Sequence, residues 1–511
     1  MTTAAAPLTG QEARRAARNA GAIAAARVLS SGALLLWQLI LGRLLGESDF
    51  GVYGTVGALF TIGVTLTSFG MSAILIRDVA RRPAEAGRYA AASLVVQTCF
   101  GVLAYLGINA AGLALGYDPA IRAYAAIAAI SLFVDLAGST AYDTLLGREK
   151  MVIASAIDVI HIMARIGFAG LALAFGFGLL GVYVVTLLAG IGRAAALWGA
   201  LRRDGVRPHF PLDRTAARLL VINGAPLAFS AFINQTYVQV DKLMTTSLLT
   251  TADTGHLNAA FVILYGVVEL LSTTVIVATY PLMARAFDPA VSLSDDRNAP
   301  FRVLIEKLAY YSLILVIPMG LVFTLFSTAI ILPLFGDRFA ATADVLRVLM
   351  WYAAVTIVVN VYAQGMIAMN HQRTLVMVRA GGLLLKLALN ALLLPRVGVT
   401  GAAFASVIAE IIVLAAMLRA YQLGERLAAL APQFGRLALA AGIGAAAMIA
   451  AGSVHPLFGM AAGGMAYLGG VLALRVLLRD DWDLLYRLAE ALPGGALVRR
   501  FWKRAGSEPG S

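Results

Sequence analysis

Residues 308–333 read LAYYSLILVIPMGLVFTLFSTAIILP, which is 26 consecutive positions without a charged side chain. The hydrocarbon core of a bilayer, about 30 Å thick, is crossed by about 20 helical residues. Because hydrocarbon offers no hydrogen-bond partners, the backbone of such a stretch has to pair within a helix or a closed barrel. The stretch lacks the apolar and polar alternation of a barrel strand, so it predicts a transmembrane helix.

Runs of the same kind follow one another along the whole chain of 511 residues, of which 60% are hydrophobic and 13% charged. Soluble domains carry about 25% charged residues. We therefore predict an all-α polytopic membrane protein. Its fourteen predicted transmembrane helices are residues 21–45, 52–76, 90–115, 120–143, 152–176, 179–200, 221–247, 257–284, 304–334, 342–368, 373–395, 398–418, 434–453 and 457–478.

The basic residues indicate how these helices are oriented. The formal net charge is +12, and Lys and Arg concentrate in alternate loops, which places those loops and both termini in the cytoplasm. This distribution explains the charge without nucleic acid as a partner. The first apolar run, residues 21–45, contains Arg27 and is longer than the 7–15 residues of a signal-peptide core. We predict that it is retained as a membrane span.

Two sequence echoes predict that the chain contains two similar halves. LLGESDFG at residues 44–51 is echoed by LLTTADTG at residues 248–255, and the pair Asp158 and Arg165 by Arg379 and Lys386. An even number of spans separates the matched elements, which predicts parallel repeats of a kind found in transporters. The predicted parts are an N-terminal tail at 1–20, six-helix bundles at 21–200 and 221–420, a cytoplasmic linker at 201–220 between them, an appended helix pair at 421–478 and a basic tail at 479–511. For that last segment, an amphipathic surface helix and a disordered tail are both open.

Many ionisable and polar side chains lie inside the predicted spans, where a charge costs about 2.5–3.5 kcal/mol on insertion scales. Such residues face a water-filled cavity or a partner. Cations gathered in one cavity would bind phosphate, because guanidinium and ammonium groups donate strong hydrogen bonds to its oxygens. The predicted anion-binding residues are Arg27, Arg165, Lys242, Arg379 and Lys386, and the predicted polar lining is Ser31, Gln38, Asn234, Gln235, Gln239, Asn360, Gln364 and Asn390. The predicted sites for coupling to H⁺ or Na⁺ are Asp135, Asp241, Glu269 and Glu410.

Several charged residues have a structural interpretation as well. Glu410 and Lys386 could form an ion pair between neighbouring helices. Asp143, Asp158 and Arg193 lie near the ends of their spans, where a side chain can extend toward water without any function. These alternatives stay open at the level of sequence.

Motifs for enzymatic chemistry are absent from the sequence. It contains no Gly-x-x-x-x-Gly-Lys-Ser/Thr nucleotide-binding loop, and its one cysteine, Cys99, and five histidines form no zinc-binding pattern. The predicted outer loops are all too short for a catalytic domain. We therefore predict no cofactor and no catalysis, with H⁺ or Na⁺ as the only coupled ion.

Three stretches resemble polysaccharide flippases of the multidrug/oligosaccharidyl-lipid/polysaccharide exporter superfamily. They are LLGESDFGVYGTVGA at residues 44–58, VDKLMTTSLLTTADTGHLNAAF at 240–261 and GVTGAAFASVIAE at 398–410. The resemblance implies two six-helix bundles that form a V and open alternately to each side of the membrane. It also implies that spans thirteen and fourteen help to form a groove for a lipid tail.

The cargo that the resemblance implies is an oligosaccharide linked through pyrophosphate to an isoprenoid such as undecaprenol. In the related peptidoglycan-precursor flippases, cations of the first span bind the pyrophosphate, which makes Arg27 the corresponding candidate here. The second span lacks a mid-membrane arginine, which favours a polysaccharide cargo, of the O-antigen (lipopolysaccharide) or exopolysaccharide type. The implied partners are this lipid-linked substrate, membrane lipids, a glycan polymerase and chain-length machinery, and the implied location is a bacterial inner membrane.

Two other functions are open from the sequence. An ion-coupled multidrug or cation antiporter of the same superfamily would typically have twelve spans and an acidic cavity. A membrane glycan polymerase or ligase would typically carry its catalytic residues on a long outer loop.

Overall fold

The computed structural model describes residues 10–209, 213–291, 293, 295–421 and 431–477, and it describes side chains from residue 21 onward except at 22–25, 27, 269–281 and 431. The described residues form α-helices joined by short turns and include no β-strand. In chain order the helices are α1 (Gly10–Ser68), α2 (Met71–Arg81), α3 (Ala86–Ala114), α4 (Pro119–Gly147), α5 (Met151–Ala174), α6 (Gly178–Arg203), α7 (Arg214–Leu248), α8 (Thr251–Ala286), α9 (Ala299–Phe335), α10 (Thr342–Ala368), α11 (Gln372–Val397), α12 (Thr400–Ala420), α13 (Ala431–Gly452) and α14 (Pro456–Ala473).

The predicted all-α membrane fold is confirmed. Among the described residues, twelve helical stretches are long and apolar enough to cross a membrane. The first of them, Val28–Arg81, is 54 residues long and covers most of the first predicted span and all of the second. The predicted eighth span lies on α8, whose side chains at 269–281 fall outside the described part of the chain.

Gly46 divides α1 into the two helical segments that the sequence predicts. Its φ of 79° and ψ of 177° lie in a region that essentially only glycine adopts. The helix is therefore broken between predicted spans one and two. A second interruption, at Phe69 and Gly70, where φ is 46° and 64°, separates α2 from α1.

By their internal packing the helices divide into two units, Met1–Asn258 and Ala259–Ser511. In the first unit, one apolar core gathers Met71, Leu75, Leu145 and Leu201 from α2, α4 and α6. A second core of the same unit lies where α1, α3 and α4 meet. The boundaries predicted from the sequence, with a linker at 201–220, stay a prediction.

In the second unit, α13 and α14 pack on each other and on α9. The Tyr467 hydroxyl donates a hydrogen bond of 2.7 Å to the carbonyl of Ile314, and the Tyr310 hydroxyl donates to the carbonyls of Gln433 and Val476. Each tyrosine thus buries its ring and pairs its polar end, as tyrosines in apolar surroundings do. These contacts fasten the appended helix pair to α9.

The chain termini are described in part. Helix α1 begins at Gly10, so it includes half of the predicted N-terminal tail. The predicted surface helix after residue 479 lies outside the described residues.

Candidate functional site

A polar cavity of about 250 Å³ lies within the first unit, between α1, α4, α5, α6 and α7 and the start of α8. At about 30 Å³ for each water in the liquid, this volume corresponds to about eight water molecules. Apolar residues such as Trp37, Phe60 and Val182 form part of the wall. The polar side chains of the lining are Gln38, Tyr53, Thr61, Ser131, Arg165, Tyr183, Thr186, Gln239, Lys242 and Asn258.

The break at Gly46 lets α1 contribute to the cavity twice. Gln38 comes from the segment before the break and Tyr53 from the segment after it. Gly54, next to Tyr53, has no side chain, and a Cβ there would lie 2.7 Å from Cγ of Asn258. A glycine at this position therefore leaves room for the Asn258 amide at the cavity wall.

Threonine hydroxyls hold the second segment of α1 against α7 and α8. Thr55 hydrogen-bonds Thr246, and Thr246 hydrogen-bonds Thr254 at 2.8 Å. All three side chains are buried. Such pairs between helices stabilise membrane proteins by about 0.6 kcal/mol on average, and here they set the position of α7, which carries Gln239 and Lys242.

The turn between α3 and α4 fixes the end of α7. Tyr117 lies in this turn, and its hydroxyl donates a 2.9 Å hydrogen bond to the carbonyl of Leu243, next to Lys242. Burial raises the pKa of Tyr117 above its ordinary value, so the hydroxyl stays protonated and remains a donor. Ser247 adds a second bond, to the carbonyl of Leu115.

Two cations give the cavity its charge. Arg165 on α5 is half-buried, and Lys242 on α7 is 8% exposed. Among the described residues that line the cavity, none is an aspartate or glutamate, and within the described part of the chain no carboxylate lies within 4 Å of Arg165. The lining itself is therefore cationic, which suits an anionic ligand. Asp241, next to Lys242 in the chain, is a fully buried carboxylate that interacts with Lys242.

Aromatic rings line the cavity beside these cations. Tyr53 and Tyr183 belong to the lining, and their ring centroids are 6.2 Å apart. Tyr124, outside the lining, packs against Tyr183 with ring centroids 5.4 Å apart. These tyrosines could not be predicted as site residues from the sequence, because a tyrosine inside an apolar span is equally typical of packing between helices. Asn258 was not predicted either, because it lies at the edge of a predicted span.

The structure brings together only part of the predicted site. Gln38, Arg165, Gln239 and Lys242 line one cavity. The remaining predicted residues of the first unit do not line it: Ser31 and Asn234 are exposed, Gln235 is half-buried and Asp241 is fully buried. The side chains of Arg27 and Glu269 lie outside the described residues, and their predicted roles stay predictions.

A second cluster of predicted residues lies in the second unit, on α11 and α12. The Arg379 guanidinium donates to both carboxylate oxygens of Glu410 at 3.2 Å. Lys386 is fully buried, with its Nζ 5.2 Å from the ring centroid of Tyr352, and Asn390 is also fully buried. Asn360 and Gln364 on α10 are half-buried. Glu410, for which the sequence left an ion pair between helices open, pairs with Arg379 on the neighbouring helix. The predicted roles of this cluster in binding and coupling stay predictions.

Asp135 lies in a third charged group, between α4, α5 and α6. Arg193 donates to Asp158 at 2.7 Å and to Asp135 at 3.5 Å. The Arg193 side chain is 13% exposed, so it pairs with carboxylates inside the unit rather than extending toward water.

A groove of about 930 Å³ between α5 and α6, also in the first unit, is different in chemistry. Its lining is apolar apart from His161 and Arg193. Several of its residues, including Phe168, Phe175 and Leu188, are more than half exposed. Such a surface suits contact with lipid chains, and the polar cavity is therefore the candidate site.

A helical membrane protein with a polar, charged cavity in a helical unit has the features of a transporter. The chain belongs to the polysaccharide biosynthesis protein family, whose model matches residues 40–344. The resemblance predicted from three sequence stretches is therefore confirmed. No protein of curated function matches the chain in sequence.

Solved structures show the same fold. The lipid II flippase MurJ in an inward closed conformation is 15% identical, with a TM-score of 0.71 over 89% of this chain and 99% of that chain. An inward-facing multidrug resistance MATE family transporter of the MOP superfamily is 15% identical, with a TM-score of 0.62 over 77% of this chain and 94% of that chain. A MOP superfamily transporter from Pyrococcus furiosus, described as having a binding pocket of reverse polarity, is 16% identical over 80% of this chain and 95% of that chain, with a TM-score of 0.50.

Proposed function

We propose that this protein is a flippase that moves an isoprenoid pyrophosphate-linked oligosaccharide from the cytoplasmic to the outer leaflet by alternating access. The observation that carries the proposal is the pair Arg165 and Lys242 in a cavity whose described lining has no carboxylate. Guanidinium and ammonium groups in a partly dehydrated site suit the oxygens of a pyrophosphate. Membership of the polysaccharide biosynthesis protein family supports a glycan as the remainder of the cargo.

The energetics of the reaction explain why a polar cavity is needed. Each sugar hydroxyl that enters hydrocarbon without a partner costs several kcal/mol, and a charged phosphate costs more. Side chains such as Gln38, Gln239 and Thr186 can substitute for water during passage. The isoprenoid is apolar and can stay in the bilayer, so only the head group has to enter the protein.

The setting of this activity is part of the proposal. We place the protein in a bacterial inner membrane with both termini cytoplasmic, where it acts before a glycan polymerase and its chain-length machinery. The protein itself makes and breaks no covalent bond. Net transport requires an ion gradient or consumption of the product outside, and Asp135, Asp241, Glu269 and Glu410 are the proposed positions for H⁺ or Na⁺ coupling.

A multidrug antiporter for cations is the second candidate, since a MATE transporter shares the fold. The charge of the described cavity argues against it, because Arg165 and Lys242 would repel a cationic drug. Export of a cationic dye from vesicles that contain the purified protein would favour this alternative.

The proposal is tested with purified protein in proteoliposomes that contain a lipid-linked oligosaccharide. Flipping is measured as the fraction of glycan that becomes accessible to a membrane-impermeant glycosidase. We expect Arg165→Ala and Lys242→Ala each to slow flipping by about 10- to 100-fold, because a hydrogen bond to a charged group contributes about 1.5–3 kcal/mol.

The matched control is Arg202→Ala, because Arg202 is exposed at the end of α6 and should leave the rate unchanged. The charge-reversed variant Arg165→Glu is the severest test. If it flipped the glycan at the rate of the parent protein, the cavity would not bind the pyrophosphate and the proposal would be wrong.

A further inference from the structure

A second polar cavity, of about 440 Å³, lies in the first unit where α2, α4 and α6 end. Its wall is formed by the turn between α2 and α3, the turn after α4 and the segment after α6. None of its described lining residues belongs to the lining of the candidate site. Its ionisable side chains are Glu85, Arg88, Arg148, Asp204, Arg207 and His209.

Arginines outnumber carboxylates in this lining, by three to two. Both carboxylates are already paired. Asp204 lies 2.8 Å from Arg148 and 2.9 Å from Lys150, and Glu85 lies 2.8 Å from Arg88. A carboxylate that is paired with a cation repels an anion less than an isolated one, so the lining can accept a negative ligand.

Arg207 is the arginine that no carboxylate neutralises. It is exposed, and within the described part of the chain its side chain has no hydrogen-bond or ion-pair partner. Arg88, by contrast, also pairs with Asp213. A guanidinium carries five N–H donors, so Arg207 can supply several hydrogen bonds to a ligand in the cavity.

Gly87 brings the segment after α6 onto the cavity. A Cβ at this position would overlap the carbonyl oxygen of Arg207, so the two backbones approach this closely only because residue 87 is a glycine. The backbone N–H of His209 also donates a hydrogen bond of 3.2 Å to the carbonyl of Gly87. The backbone thus holds Arg207 at the cavity while its guanidinium is left for a ligand.

A phosphate group is the ligand that suits these donors. The planar fork of a guanidinium matches the spacing of phosphate oxygens, and Arg148 and Arg207 approach from two different segments. The cavity volume of about 440 Å³ corresponds to about fifteen waters. It therefore has room for a phosphate together with part of the group that carries it.

Exposed apolar residues next to the cavity indicate where such a phosphate comes from. Val152 and Ile153 follow Lys150 directly and are 43% and 48% exposed. They begin α5, which is long and apolar enough to cross a membrane. Basic pockets at such helix ends lie at the level of the lipid head groups and bind anionic lipids.

We propose that this cavity is a phosphate-binding site, and its position favours the phosphate of an anionic phospholipid. Arg148 and Arg207 donate to the phosphate oxygens, and the bound lipid holds the segment after α6 against the turn between α2 and α3. A soluble phosphate has the same chemistry, and the test distinguishes the two sources. The proposal does not depend on the flippase function, because the cavity shares no lining residue with the candidate site.

The test measures equilibrium binding to the full-length protein in a non-ionic detergent at fixed ionic strength. The probes are dihexanoyl phosphatidylglycerol, dihexanoylglycerol, which lacks the phosphate, and inorganic phosphate. We expect the parent protein to bind the phosphatidylglycerol at least tenfold more tightly than dihexanoylglycerol. Arg207→Gln should bind the phosphatidylglycerol about tenfold less tightly, because it loses a hydrogen bond to a charged group.

The matched control is Arg202→Gln, which removes the same charge from the end of α6. Arg202 is exposed and does not line the cavity, so this variant should bind as the parent does. Thermal unfolding of both variants in the same detergent separates a loss of binding from a loss of fold.

The outcomes are distinct. If inorganic phosphate displaces the phosphatidylglycerol, the cavity binds phosphate but the lipid assignment is wrong, and if it does not, the lipid assignment stands. Equal weakening by Arg207→Gln and Arg202→Gln would mean that only the general positive charge of this side attracts the lipid, which would overturn the site. Unchanged binding in Arg207→Gln, or a parent protein that binds neither phosphate-bearing probe more tightly than dihexanoylglycerol, would overturn it as well.

Discussion

Two glycines allow the second segment of α1 and the start of α8 to touch through their backbones. A Cβ on Gly51 would lie 1.8 Å from the carbonyl oxygen of Thr251, and a Cβ on Gly255 would lie 1.8 Å from that of Glu47. These glycines are the last residues of the two echoed stretches, 44–51 and 248–255. Each repeat therefore presents its glycine to the backbone of the other, as small residues do where membrane helices approach closely.

We expect Gly51→Ala and Gly255→Ala to destabilise the protein by about 3 kcal/mol, because a backbone carbonyl cannot move aside as a flexible side chain can. Thermal unfolding in detergent, followed by tryptophan fluorescence, measures the change. Gly107→Ala is the control, since no described atom lies within 4 Å of the added Cβ. If Gly51→Ala unfolded at the same temperature as the parent, the two backbones would be able to move apart without a loss of stability, and this prediction would be wrong.

The sequence could predict part of the site at the level of residues. Gln38, Arg165 and Lys242 were predicted because a charge or an amide in hydrocarbon is costly wherever it lies. Tyr53 and Tyr183 could not be predicted in this way, because a tyrosine satisfies an apolar span by packing alone. The free-energy cost of placing a polar group in hydrocarbon identifies residues that need polar partners. Only the fold shows which of these residues lie in the same cavity.

At the scale of elements, an ion pair joins α5 to α6 and another joins α11 to α12. The first is Asp158 with Arg193 at 2.7 Å, and the second is Arg379 with Glu410 at 3.2 Å. The sequence echo had matched Asp158 with Arg379. In the structure both bridge to the next helix, with the acid and the base exchanged between the two units. Each unit thus has an ion pair between two neighbouring helices, although the residue types at the matched positions differ.

A double-mutant cycle measures the link between α5 and α6. We expect Asp158→Asn and Arg193→Gln each to lower the free energy of unfolding, and the double variant to lose less than the sum by about 1–3 kcal/mol, because each single change removes the same interaction. Unfolding is followed in a detergent titration, with the exposed Arg203→Gln at the end of α6 as the control. Additive losses would mean that the two side chains do not interact.

At the scale of the whole molecule, the bilayer makes the order of helices predictable. An apolar run of spanning length has to be helical, and the predicted spans accordingly fall on described helices. The joining of spans one and two into α1, broken only at Gly46, could not be predicted from apolar runs. It depends on one backbone conformation that glycine permits, and many glycines in this sequence do not adopt it.

The segment after α6 is fastened to the loops of the first unit. Asp204 accepts a hydrogen bond of 2.8 Å from Arg148 and pairs with Lys150 at 2.9 Å. The backbone N–H of His209 donates to the carbonyl of Gly87 at 3.2 Å. Burial acts to raise the pKa of Asp204, but the hydrogen bonds and charges of Lys150 and Arg148 outweigh it and hold that pKa below its ordinary value.

The stability of these contacts between the segment after α6 and the loops should depend on pH in a defined direction. A carboxyl whose pKa is lower in the folded state contributes stability that is complete above its ordinary pKa of about 3.9 and is lost as the pH falls through the folded value. We therefore expect hydrogen-exchange protection of the His209 amide, corrected for intrinsic rates, to be constant from about pH 7 to pH 5 and to fall below about pH 4. In Asp204→Asn the protection should be lower at neutral pH and nearly independent of pH, because the titrating group is gone. Equal protection in both proteins at pH 7 would mean that the bond between His209 and Gly87 holds the segment without Asp204.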